Sequence, residues 1–93
     1  MSEEIDKIIF NAKLISGGRS LGDNEPIKIF ELETIEKNIT KVTSNVALSN
    51  KQKESLQSLF DSISKLKTLS GDSFRYQAMG FGNRVELFFN DLE

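Results

Sequence analysis

Arg75, Tyr76 and Arg84 are the side chains of this sequence best suited to recognise an anion, together with Arg19 in the run Gly17-Gly18-Arg19-Ser20. A guanidinium forks onto phosphate or carboxylate, and an aromatic ring adds a stacking face. Arg19, Arg75, Arg84 and Tyr76 therefore form a candidate ligand-binding set for an anionic metabolite or nucleotide, one that needs neither metal nor histidine. The glycine run offers backbone amides and a hydroxyl of its own. It lacks the P-loop pattern, and it follows a helix where a phosphate cradle opens one, so a helix C-cap with a solvated arginine is its simpler meaning. Arg75 and Arg84 have an equally plain alternative, surface pairing with Glu86 and Asp91.

Phe74, Tyr76, Phe81, Phe88 and Phe89 crowd into the last quarter of the chain. As a set they read as core. Phe81 stands apart, because Gly80 and Gly82 flank it on a bare turn. Such a residue either plugs the core or stands out as an anchor for a partner's pocket. Phe81, Tyr76 and Arg84 are the candidate partner-binding residues.

Covalent chemistry finds little support. There is no cysteine and no histidine, which removes thiolate nucleophiles, disulfides, the commonest general base and the commonest zinc ligand. Serines and carboxylates are plentiful, yet none has a partner base at a recognisable spacing, and no D-x-D-x-D-G calcium loop is present. The expectation is a protein that is not an enzyme and uses no cofactor or metal. With 12 basic and 14 acidic side chains the net charge is −2, the wrong sign for a domain that grips nucleic-acid backbone. Lys51, Lys53, Lys65 and Lys67 make a basic edge, but Ser and Gln surround them, and a solvated face is the expected meaning. The acidic start, MSEEIDK, is not a signal peptide, and no apolar run is long enough to span a bilayer. A cytoplasmic location without membrane contact is expected. Richness in Ile, Lys, Asn and Ser hints at a bacterial or phage source.

The elements that must position these residues are helices. Ser49–Leu69 is the clearest, with Leu56, Leu59, Phe60, Ile63, Leu66 and Leu69 on one face. Ser49 with Gln52 reads as a capping box, and Gly71 sits where the helix would stop. Ser2–Ser16 reads as a first helix with the stripe Ile5, Ile8, Ile9, Ala12 and Ile15 and acids in its first turn. A strand through Ile8–Ile15 is the competing reading. The loop Gly17–Glu25 and Pro26 lead into a helix over Ile27–Val46. Its seam is Leu32, Ile35, Ile39, Val42 and Val46, and Ile27 and Phe30 extend the apolar surface. A short link, roughly Thr43–Leu48, makes these two long helices an antiparallel hairpin.

After Gly71 two readings compete. A β-hairpin would alternate Phe74, Tyr76 and Ala78 with polar residues, pair them with Val85, Leu87 and Phe89, and turn at Gly80–Asn83. Two short helices would be capped by Asp72 or Ser73 and by Asn83 with Glu86, with a break at Gly80-Phe81-Gly82. Val85, Phe88, Phe89 and Leu92 then share a face. The helical reading is preferred, because a strand would put either Phe88 or Phe89 in water.

The sequence thus predicts a single domain over residues 1–93. It is all-α, a small three- to four-helix bundle with a long central helical hairpin and a glycine-broken aromatic C-terminal helix. An α+β fold with a C-terminal β-hairpin is the alternative. The function expected is that of a non-catalytic protein-interaction module of the inhibitor, immunity or adaptor kind. A protein partner is expected, and so is homo-oligomerisation, since the two long seams offer more apolar surface than so few helices can cover. A small anionic ligand is the alternative partner, and nucleic acid is not expected.

Overall fold

The structure, a computed structural model, describes residues 3–17 and 25–92, with side chains from Ile27 onward in the second segment. Five helices follow one another: α1 (Glu3–Ser16), α2 (Glu25–Thr43), α3 (Asn50–Thr68), α4 (Gly71–Ala78) and α5 (Phe81–Leu92). The fold is all-α, and no strand occurs among the described residues. Ile8–Ile15 is helical throughout, and the C-terminal β-hairpin alternative is overturned, because the chain is helical on both sides of Gly80. Ser2, where the first helix is expected to begin, and residues 18–24 with Arg19 lie outside the described residues.

The four longer helices form a ring in the order α1, α2, α3, α5, and α4 closes one end. Lys41 pairs with Glu4 at 3.7 Å between α2 and α1, Lys67 with Glu36 at 3.6 Å between α3 and α2, and Lys13 with Glu86 at 3.1 Å between α1 and α5. These exposed pairs each contribute at most about 1 kcal/mol, so they report the arrangement more than they hold it. The holding is apolar. Ile8, Ile9, Ala12 and Ile15 of α1, Leu32, Ile35 and Ile39 of α2, and Leu59, Ile63 and Leu66 of α3 are all buried. Phe74 and Ala78 of α4 and Phe81, Val85, Phe88 and Phe89 of α5 complete the core, with Phe88 and Phe89 edge to face at 5.2 Å. The hairpin of α2 and α3 is present, but α1 packs most extensively on α5.

The expected capping box is formed: Ser49 Oγ accepts from the Gln52 amide at 3.1 Å, and Gln52 Oε1 accepts from the Ser49 amide at 2.9 Å. Ser49→Ala is expected to lower stability by about 1 kcal/mol, read as a shift of the urea midpoint at constant slope.

Several expected boundaries move. The second helix stops at Thr43, whose hydroxyl turns back to the Ile39 carbonyl at 2.8 Å, so Val46 leaves the seam and stands largely exposed in the link. At the other end the seam 39, 35, 32 continues not to Ile27 or Phe30, which are exposed, but to Lys28, which is 0% exposed. The Lys28 ammonium donates to the Leu69 carbonyl, past the end of α3, and lies 5.0 Å from the Phe74 ring centre. A cation at a helix C-terminus satisfies a carbonyl that the helix leaves open. Gly71, expected to end α3, instead opens α4 at φ 60°, and Ser70 takes the N-cap position expected for Asp72 or Ser73.

The break before α5 is narrower than Gly80-Phe81-Gly82. Met79, at φ −58° and ψ 129°, and Gly80, at φ 84°, turn the chain between them, and Phe81 and Gly82 are already helical. Asn83 is therefore inside the first turn and does not cap it. The cap comes from α1: Ser16 Oγ accepts the Gly82 amide at 2.6 Å and donates to the Ala12 carbonyl at 3.1 Å. Among the described residues no helix is long and apolar enough to cross a membrane.

Candidate functional site

Lys51, Ser55, Ser58, Ser62 and Lys65 recur at intervals of four and three, so they form one stripe along α3. The stripe lies beside the buried face of Leu59, Ile63 and Leu66 and runs along α5. Between the two helices is a furrow of about 530 Å³, floored by Leu59 and Phe88, with Lys51 on one wall and Arg84 and Leu87 on the other. It narrows where Arg84 and Gln77 meet Ser62 and Lys65. Beyond that point it opens again into a hollow of about 370 Å³ bounded by Lys65, Leu69, Tyr76 and Gln77. Arg84 lines the first two hollows and Lys65 the last two, so the three lie in succession along α3, α5 and α4, and together they are called the channel below.

The charges on this channel are unbalanced. Lys51, Lys65 and Arg84 make no hydrogen bond or ion pair through their charged groups among the described residues. The two carboxylates on its walls are engaged. Asp72 pairs with Arg75 at 3.1 Å, and Asp91 accepts from Gln52 Nε2 at 3.4 Å. The walls carry apolar anchors at both ends, Tyr76 at 74% exposure and Leu87 at 66%.

Of the residues expected to bind a partner, Tyr76 and Arg84 are thus brought to one channel, joined through Gln77 and Lys65. Phe81 is not with them. It is 0% exposed, packed in the core at the start of α5, and the anchor reading of this residue gives way to the plug reading. The physical reason is that the turn is complete at Met79-Gly80: with Phe81 and Gly82 already helical, Phe81 falls on the inward stripe of Phe81, Val85 and Phe88. No family model, curated protein or solved structure matches this chain.

The anion-binding set is described in part. Arg75 is held by Asp72 on its own helix, and Arg19 lies outside the described residues, which leaves Arg84 and Tyr76 from that set on the channel. Lys51 and Lys65, which the sequence offers only as part of a solvated basic edge, also line the channel. They were legible in the four-three spacing of the stripe. Grouping them with Lys53 and Lys67 as one basic edge concealed it, for Lys67 is on the opposite flank of α3, paired with Glu36. Among the described residues no cluster of carboxylates is placed to hold a metal ion.

Proposed function

We propose that this chain is a non-catalytic protein-interaction module of the inhibitor, immunity or adaptor kind, and that its partner lies in the α3–α5–α4 channel. The observation that carries this reading is the row of three cations, Lys51, Lys65 and Arg84, unpaired among the described residues, on a chain whose net charge is −2. Lys51 and Lys65 are fourteen positions apart on one helix, about 21 Å, the span of a short helical segment. An acidic segment of a partner complements them, and Leu87 and Tyr76 supply contacts of the kind that dominate interface energetics. Arginine and tyrosine are the types best suited to that work. Lysines at the rim act mainly on encounter rate and orientation.

The test places a photo-crosslinking residue at Leu87 in cells that make the protein. A covalent adduct with a second polypeptide is expected, and the doubly reversed variant Lys65→Glu/Arg84→Glu is expected to reduce it by about tenfold or more while the melting temperature holds. An adduct indifferent to both reversals overturns the reading, as does the absence of any adduct. A small adduct of fixed mass in native mass spectrometry, lost in Arg84→Glu, replaces the protein partner with an anionic ligand.

A further inference from the structure

We propose that two copies of this chain associate through the outer face of α2, antiparallel, about a two-fold axis midway between Glu33 and Lys37. This surface is on the other flank of α3 from the channel, and the inference stands independently of the function proposed above.

The case for self-association from the long seams fails on the structure, because Leu32, Ile35, Ile39, Leu59, Ile63 and Leu66 are buried within one chain. The outer face of α2 makes a different case. Phe30 is 67% exposed there, at one end of an open groove of about 690 Å³ between α2 and α3. Phe60 lies on the α3 wall of the same groove, partly buried. The two helices run antiparallel, with Lys28 bonded to Leu69 and Glu36 to Lys67, so Phe60 is level with the neighbourhood of Thr40. The groove therefore has an aromatic knob at the Phe30 end and an aromatic-walled space at the Thr40 end.

Along α2 the outward residues on this groove are Phe30, Glu33, Lys37 and Thr40. Their spacing is three, four, three, the seam of a two-stranded coiled coil. Turning the seam end for end on a second copy sets Phe30 against Thr40 and Glu33 against Lys37, twice each. Every contact is then complementary: the aromatic knob meets the open space beside Phe60, and each acid meets a base. A parallel pairing would instead oppose Glu33 to Glu33 and Lys37 to Lys37, so the charges also select the orientation. A two-fold interface requires this kind of self-complementarity of one patch.

Two further details agree. Glu33 and Lys37 stand four apart in the order that favours pairing within a helix, yet neither forms an ion pair or side-chain hydrogen bond among the described residues. Both remain available to a second chain. Thr34 and Thr40 turn their hydroxyls to the carbonyls of Phe30 and Glu36, at 2.8 and 2.9 Å. What they offer outward is methyl, which suits a close approach of two helices.

Sedimentation of the full chain over a range of concentrations tests the proposal. A monomer–dimer equilibrium is expected. Phe30→Ser should weaken it by about thirtyfold or more, and Glu33→Lys or Lys37→Glu by about tenfold or more each. The double variant Glu33→Lys/Lys37→Glu should recover the original affinity. An equimolar mixture of E33K and K37E should form a heterodimer tighter than either homodimer, because mixing restores both opposite-charge contacts. Arg84→Glu, on the other face, should leave the equilibrium unchanged. All these residues are on the surface, and unaltered helical circular dichroism and melting confirm that each variant is folded. A wild-type chain still monomeric at several hundred micromolar overturns the proposal. A dimer indifferent to F30S and E33K overturns it too, as does a double variant that fails to recover.

Discussion

Phe81→Ser is expected to leave little folded protein. The ring is fully buried at the first position of α5, beside the turn that brings this helix back across α1. Truncating a buried phenylalanine removes about 3–5 kcal/mol through lost transfer energy and the cavity left behind, and the serine hydroxyl adds an unsatisfied buried group. A domain of this size has about 5–15 kcal/mol in all. The melting temperature should fall by more than about 12 °C, or the cooperative transition should vanish. Tyr76→Ser is the informative companion. Its ring is largely exposed, and its loss should change stability by no more than about 0.5 kcal/mol. The pair separates the two meanings of an aromatic residue in this region. If Phe81→Ser melted like the parent protein, Phe81 would not be core, and the packing of α5 on α1 would have to be redrawn.

Why Phe81 was ambiguous in the sequence is instructive. Two glycines flank it, and either can break a helix, but they do different work. Gly80 supplies a positive φ and turns the chain, a local property that a glycine announces. Gly82 has ordinary helical geometry and is glycine because of what lies across from it on α1, which no local pattern reveals. The cap of α5 has the same character. Asn83 with Glu86 fits a capping box in sequence, whereas the acceptor that reaches the Gly82 amide is Ser16, sixty-six positions away. Elements whose ends are set by their own residues were legible: the capping box at Ser49 and the stripes of α1, α3 and α5 all fall where spacing places them. Ends set by another helix were not.

Lys28 shows the converse. It lies on the buried seam in strict continuation of Ile39, Ile35 and Leu32, a position that the helical period gives to the core whatever residue stands there. A lysine carries no apolar signal, whereas its neighbours Ile27 and Phe30 do, and both of those are exposed. The open carbonyl at Leu69 resolves the conflict, since it gives the buried ammonium an acceptor. The channel was half legible in the same sense. Tyr76 and Arg84 carried recognisable chemistry, but their union with Lys65 depends on where α4 folds back, and that is set by Gly71 and Gly80.

Gly82→Ala should be the second severe substitution, and its sign is the reverse of what helix propensity gives. In an exposed helix this change stabilises by about 1 kcal/mol. Here a Cβ would lie 2.7 Å from Lys13 Cα and 2.9 Å from the Lys13 amide nitrogen. Those are backbone atoms of α1, and they cannot swing aside as a side chain can. To make room, α5 must move away from α1 along the most extensive helix contact in the fold, loosening the Ser16 cap and the Lys13–Glu86 pair together. A net loss of about 1–3 kcal/mol is expected, a fall in melting temperature of about 5–20 °C. Gly17→Ala is the matched control. Its Cβ would meet only the carbonyl oxygens of Leu14 and Lys13, at 3.4 and 3.6 Å, ordinary contact distances. That variant should melt within a few degrees of the parent, about 0.5 kcal/mol either way. A Gly82→Ala protein that melted higher than the parent would mean that α5 is not seated against the backbone of α1. With that seat would go the reason for Phe81 pointing inward and for Arg84, on the same helix, lining the channel.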